Sequence, residues 1–100
     1  MFYIYILYSQ NHDMYYVGYT QDISIRIVQH NESARNTFTS KYRPWTVAAL
    51  FECSTEEAKA VQIERFIKKQ KSKNLLKRMV AGQELSGVLA QLVRVPHVRD

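Results

Sequence analysis

The chain has 100 residues, 46% hydrophobic and 23% charged, with a net charge of +5 and a pI near 9.5. That length fits one domain around one core, and plentiful aromatics with few glycines and prolines exclude a disordered chain. The longest apolar run, residues 2–8, is far too short to span a bilayer, and the single Cys53 excludes an internal disulfide and a Cys-based zinc site. No basic leader precedes that run, so a signal peptide is not expected, and a reduced cytoplasmic setting is the simplest reading. A basic domain of this size fits an anionic partner, nucleic acid first; the alternative is a protein with a lysine-rich solvated face. No membrane partner is expected, and the oligomeric state is not legible.

Residues 2–8 are β-branched and aromatic and predict a strand. Ser9-Gln10-Asn11-His12-Asp13 is turn chemistry, and residues 14–19 predict the return strand of a hairpin. Gly18 inside that strand marks either a bulge or the close approach of another group. Thr20 or Asp22 can cap a helix that runs to about Asn31, with Ile23, Ile27 and the surroundings of His30 as its inner stripe. Residues 32–43 are polar and predict a loop, closed by Pro44-Trp45. Residues 46–52 predict a third strand.

Ser54 and Glu57 have capping-box spacing. The helix they introduce carries Ala60, Ile63 and Ile67 on one face and runs to about Lys71. A shorter helix over 73–80 ends at Gly82. Residues 87–100 are apolar without a period, and Pro96 breaks any helix there. Ala90-Gln91-Leu92-Val93-Arg94 can be written GCT CAG TTG GTT AGA, the sequence of a transfer-RNA D-arm. The expectation is a reading frame that ends inside a neighbouring tRNA gene, which the nucleotide sequence would test.

Tyr3-Ile4-Tyr5 and Tyr16-Val17-Gly18 stand ten residues apart. Together they resemble the two signature triads of the GIY-YIG nuclease superfamily. The resemblance extends to Arg26, ten residues after Tyr16, to His30-Asn31, to Pro44-Trp45 before the third strand, and to Glu64 on the following helix. It covers residues 1–80, so residues 1–82 are assigned as a GIY-YIG-like nuclease domain and 83–100 as a C-terminal tail outside the resemblance. The implied fold is α+β, a three-stranded antiparallel sheet flanked by helices. Three departures stand out. Tyr3 replaces glycine in the first triad, and Tyr19 stands where the family's excision-repair nucleases have lysine. Asn74, at a short spacing, is the only candidate for the asparagine that many members carry after the glutamate helix.

The resemblance implies a divalent-metal-dependent endonuclease acting on DNA, with RNA left open. Tyr5 would be the general base and Tyr16 would orient the attacking water, although both can equally be aromatic strand residues. Arg26 would clamp phosphate with its planar guanidinium. His30, four residues on and on the same helix face, would polarise the phosphate or hold the tyrosines; it can also be a half-buried histidine without a task. Glu64 shares a face with Ala60, Val61 and Ile67, where a carboxylate is costly unless paired or metal-bound. Mg²⁺ or Mn²⁺ suits it, and an ion pair with Lys68 is the alternative.

Gly18 offers a place where backbone can approach phosphate. Arg65, Lys68, Lys69, Lys71, Lys73, Lys77 and Arg78 carry half of the 14 basic residues and suit tracking of a nucleic-acid backbone, or a solvated face. His12 and His97 have no constellation around them, and Cys53 reads as packing. A non-cleaving nucleic-acid-binding module that keeps the fold is the second reading.

Overall fold

The computed structural model describes residues 1–96; His97 and the last three positions lie outside the described residues. In chain order the elements are β1 (Phe2–Ser9), β2 (Met14–Thr20), α1 (Ile23–Glu32), β3 (Thr46–Ser54), α2 (Glu57–Gln70), α3 (Lys73–Val80) and β4 (Val93–Arg94). Two 3₁₀ turns, Thr39–Tyr42 and Gly87–Gln91, lie between them. The sheet is antiparallel with order β2-β1-β3-β4. It therefore has four strands where the sequence predicts three.

β1 is the second strand in that order, with a neighbour on either side, and the sheet is covered on both faces. That explains its near-continuous apolar run, because both alternating sets of side chains must be buried. Ile4 and Ile6 join Val17, Ala49 and Phe51 against α2 and α3, through Ile63, Ile67 and Met79. Tyr5 and Leu7 join Leu50 and Trp45 on the other face, against Ile23 and Ile27 of α1.

The cap of α1 is one of the two expected, and that of α2 is not. Asp22 is the N-cap of α1, its carboxylate accepting from the Ser24 and Ile25 amides. The Ser54–Glu57 capping box does not form. α2 begins two residues later than such a box requires, with Glu56 as its N-cap, and Ser54 Oγ accepts from the Glu56 amide instead. Lys71 ends α2 in a left-handed conformation, and the Ser72 hydroxyl caps α3.

The hairpin turn is pinned to α3. Asp13 sits at φ 51°, and its carboxylate accepts from Tyr8 Oη (2.8 Å) and Lys73 Nζ (2.8 Å). Those partners, Lys73 first, hold the Asp13 carboxyl below its usual range.

The segment after α3 has no period because it is not one regular element. Leu89 and Leu92 are buried in the core beneath α2 and α3, and β4 pairs with the outer edge of β3. The Arg94 guanidinium donates to the carbonyls of Met79 and Val80 and lies over the Phe51 ring. A Leu92→Ala substitution is expected to cost roughly 2 kcal/mol of unfolding free energy, the low end for a buried leucine. Urea denaturation checks it; an unchanged midpoint would mean that the segment is merely draped on the surface.

Candidate active site

Tyr5 is the centre of the candidate site, and its position follows from the strand register. It stands opposite Gly18 in the β1–β2 pair. A side chain at Gly18 would overlap the Tyr5 phenol, so only glycine lets the ring lie across β2. The pairing is continuous there, so Gly18 is not a bulge. Gly18 was also expected to let backbone approach phosphate; in the fold it is buried, and the group that approaches it is Tyr5.

The Tyr5 hydroxyl is 2.7 Å from His30 Nε2 and accepts from Arg26 Nε at 3.3 Å. Because Arg26 can only donate, the phenolic proton points to His30. The imidazole then carries its own proton on Nδ1, which lies 2.9 Å from Thr39 Oγ1. Thr39 in turn faces Thr37 Oγ1 at 3.3 Å. The result is one directed chain, Arg26 to Tyr5 to His30 to Thr39, built from α1, β1 and the loop before β3.

Electrostatics agree with that assignment. Burial pushes the Tyr5 phenol up to about 12, with the Arg26 hydrogen bond and charge opposing and Tyr16 and Glu64 adding to it. Burial, then the charges of Arg26, Arg43 and Lys68, push His30 down to about 4. A neutral donor phenol and a neutral acceptor imidazole are the forms these shifts favour.

His30 gives a pH prediction. In the unfolded chain it titrates near 6.5, so between that value and about 4 the unfolded state binds the extra proton. Its contribution to stability is complete above pH 6.5 and is lost as pH falls towards 4. The urea midpoint should therefore drop over this window, and His30→Gln should flatten the drop. Parallel midpoints for both proteins across the window would show that His30 is not held neutral.

The loop after α1 is fastened by residues for which sequence patterns give no role. Arg43 donates to the carbonyls of His30 (2.6 Å) and Ser33 (2.7 Å), closing the end of α1. The Asn31 amide bonds both ways with the Trp45 backbone, and Trp45 Nε1 donates to the Thr39 carbonyl at 2.8 Å. His30-Asn31 and Pro44-Trp45 thus act together. The first pair supplies the imidazole and the anchor, and the second receives the anchor and returns a bond to Thr39. Thr39 and Arg43 lie in a polar stretch without period, and only tertiary contact reveals them.

Tyr16 is held by rings and a cation. Its ring centroid lies 5.2 Å from His30 and 6.2 Å from Trp45, and Lys68 Nζ lies 4.8 Å from it. Lys68 also pairs with Glu64 at 3.3 Å, and only 17% of the Glu64 side chain is exposed. Glu64 therefore comes to the same end of the sheet as Tyr5 and Tyr16, with a cation supplied from its own helix. Tyr19, at the position of the excision-repair lysine, points to the opposite face and donates to Glu57.

Two depressions meet at Tyr16. One, about 400 Å³, is walled by Tyr16, Arg26, Gln29, His30, Arg35 and Phe38. The other, about 360 Å³, is lined by Tyr16, Lys68, Lys71 and Lys73 among others. Lys69 is exposed on α2 and does not line it. Lys73 is engaged with Asp13, and Asn74 lines a separate hollow with Lys77 and Arg78. A larger groove of about 770 Å³ lies beside Tyr8, Tyr15 and Arg94. Its cation, Arg94, is already bonded to backbone carbonyls.

A protein-family model described as the GIY-YIG catalytic domain matches residues 1–78 of the 100-residue chain. The match spans every element from β1 to α2 and most of α3. No curated protein matches the chain.

Proposed function

The chain belongs to the GIY-YIG catalytic-domain family, and we propose that it is an endonuclease that hydrolyses phosphodiester bonds in DNA with the help of a divalent cation. The observation that carries this reading is the meeting of Arg26, His30 and Tyr16 at one wall of an open depression, with the buried Tyr5 bonded to Arg26 and His30 behind it and Glu64 held near Tyr16 by Lys68.

Phosphodiester hydrolysis needs an attacking water, an acceptor for its proton and cations against the charge that builds on phosphorus and on the leaving oxygen. Arg26 is the phosphate clamp. Its Nε is held by Tyr5 and Nη1 by Gln29 Oε1 at 2.9 Å, which fixes the plane of the guanidinium before substrate arrives.

The base role expected of Tyr5 passes to Tyr16 in this proposal. Tyr5 is 1% exposed, its proton is committed to His30, and burial disfavours its phenolate. It serves as a positioning residue for Arg26. Tyr16, half-buried on the wall of the depression, takes the base role: once its own proton has gone to solvent, its phenolate oxygen accepts the proton of the attacking water. Lys68 Nζ lies over its ring, 4.8 Å from the centroid.

Glu64 fits a Mg²⁺ or Mn²⁺ ion. Among the described residues no group of three His, Cys, Asp or Glu converges. One half-buried carboxylate completed by water and phosphate oxygens is a donor set such ions accept, since they keep much of their hydration. When bound, the cation would neutralise charge on the phosphate. Beyond the reacting centre, Lys71 follows the DNA backbone along the second depression, while Lys69 reaches strands that pass over the outer side of α2.

The Glu64–Lys68 ion pair favours a second reading, a module that binds DNA without cutting it. One experiment separates the two. The purified protein is incubated with labelled single-stranded, nicked, branched and duplex DNA in Mn²⁺, Mg²⁺ or EDTA. Cleavage of at least one substrate in metal and none in EDTA is expected. Binding without cleavage in every condition would leave the module as the function.

A further inference from the structure

Phe38 is 48% exposed although it is large and apolar, and it borders the depression that holds Arg26 and Tyr16. Its ring is stacked near the Tyr16 ring, at 6.2 Å and 28°. On another side it meets Tyr42 at 5.0 Å, and Tyr42 meets His12 edge-on at 5.3 Å. Four rings thus form a continuous strip from the candidate active site to the hairpin turn.

The loop carrying Phe38 is anchored. The next residue, Thr39, is buried, bonded to His30 by its hydroxyl and to Trp45 by its carbonyl. The Ser40 hydroxyl closes the turn onto the Thr37 carbonyl. The ring is therefore presented in a fixed place. Basic side chains flank the strip, with Arg35 on the wall of the depression and Lys41 exposed in the 3₁₀ turn.

An aromatic strip between cations matches single-stranded nucleic acid, whose bases stack on rings while its phosphates follow positive charge. Duplex offers no free base faces, because its bases are already stacked on one another. We propose that Phe38, backed by Tyr42, is a base-stacking platform for an unpaired nucleotide next to the phosphate held by Arg26. The substrate is then single-stranded DNA, or DNA with an unpaired segment at the cut. The inference rests on the reading of the Arg26 depression as the phosphate site.

The test uses the full chain in EDTA, so that binding is read without cutting. The probes are a fluorescein-labelled oligo-dT, a blunt duplex of the same length, and a single strand carrying one 2-aminopurine. Phe38→Ala is expected to weaken oligo-dT binding roughly 5- to 150-fold, the loss of one base–aromatic stack, and to change duplex binding less than about twofold. Phe38→Leu, apolar but without a ring, should behave as Phe38→Ala does, and Phe38→Trp should retain affinity. Binding should quench 2-aminopurine in the unsubstituted protein and not in Phe38→Ala.

Equal losses on single strand and duplex, or quenching that survives Phe38→Ala, would overturn the platform. Tighter binding of an oligo-U of the same length would overturn the assignment to DNA. Platform binding without cleavage in Mn²⁺ would remove only the catalytic reading.

Discussion

Arg26→Ala is expected to lower DNA cleavage by at least about 10²-fold in a protein that still folds, by analogy with the loss of an oxyanion donor. The side chain reaches the Tyr5 hydroxyl through Nε and Gln29 through Nη1, so its plane is set by two partners at the edge of an open depression. A clamp of this kind acts when charge accumulates on the phosphoryl oxygens, so its loss appears mainly in turnover. Stability should change little. Tyr5 keeps its bond to His30, and Arg26 is only partly buried. Arg26→Lys should rescue poorly, because an ammonium cannot present two parallel donors or hold Tyr5 and phosphate together. Cleavage with and without Mn²⁺, alongside a urea denaturation curve, checks both halves. Turnover near that of the unsubstituted protein in a folded Arg26→Ala variant would remove the clamp from the mechanism.

The first hairpin was legible because it depends on local pattern. A run of β-branched and aromatic residues, a polar turn and a glycine opposite a tyrosine all lie within twenty residues, and the register brings the two triads together. The six hairpin tyrosines nevertheless divide by face. Tyr5 and Tyr16 turn towards α1, as does Tyr3, while Tyr8 and Tyr15 pair at 4.9 Å and Tyr19 reaches Glu57 on α2. Period two explains the division, and only the triad spacing singles out the first two.

What stayed hidden depends on distant partners. Thr39 and Arg43 sit in a polar loop, and their importance arises where that loop meets His30 and Trp45. β4 was not legible because two residues carry no period, and Leu89 and Leu92 reach the core from a 3₁₀ turn and its cap. The proposed transfer of the base role from Tyr5 to Tyr16 has the same origin. Burial of the Tyr5 hydroxyl is a tertiary fact that spacing cannot report.

Glu64→Gln and Lys71→Gln are expected to act in opposite directions and so to separate chemistry from grip. Glu64→Gln removes a negative charge beside Tyr5 and Tyr16 and frees Lys68 from its 3.3 Å ion pair. Attraction for a phosphate backbone should therefore hold or increase, while metal-dependent cleavage falls by at least about 10²-fold, because a neutral amide is a poor ligand for a hard divalent cation. Lys71→Gln leaves the reacting groups in place and removes one cation from the depression that begins at Tyr16. Binding should weaken, and the slope of log affinity against log salt should become shallower by roughly one on duplex, or somewhat less on a single strand. The loss should be nearly the same for all sequences, because phosphates carry no base information. Lys69→Gln tests the outer side of α2: a shallower slope is expected there too, and an unchanged slope would confine the contact to the second depression. DNA titrations at several salt concentrations, with cleavage assayed in parallel, measure all three variants. An unchanged slope for Lys71→Gln would make the α2–α3 stretch a solvated face. Full cleavage by Glu64→Gln would place the metal, and with it the chemistry, at other residues.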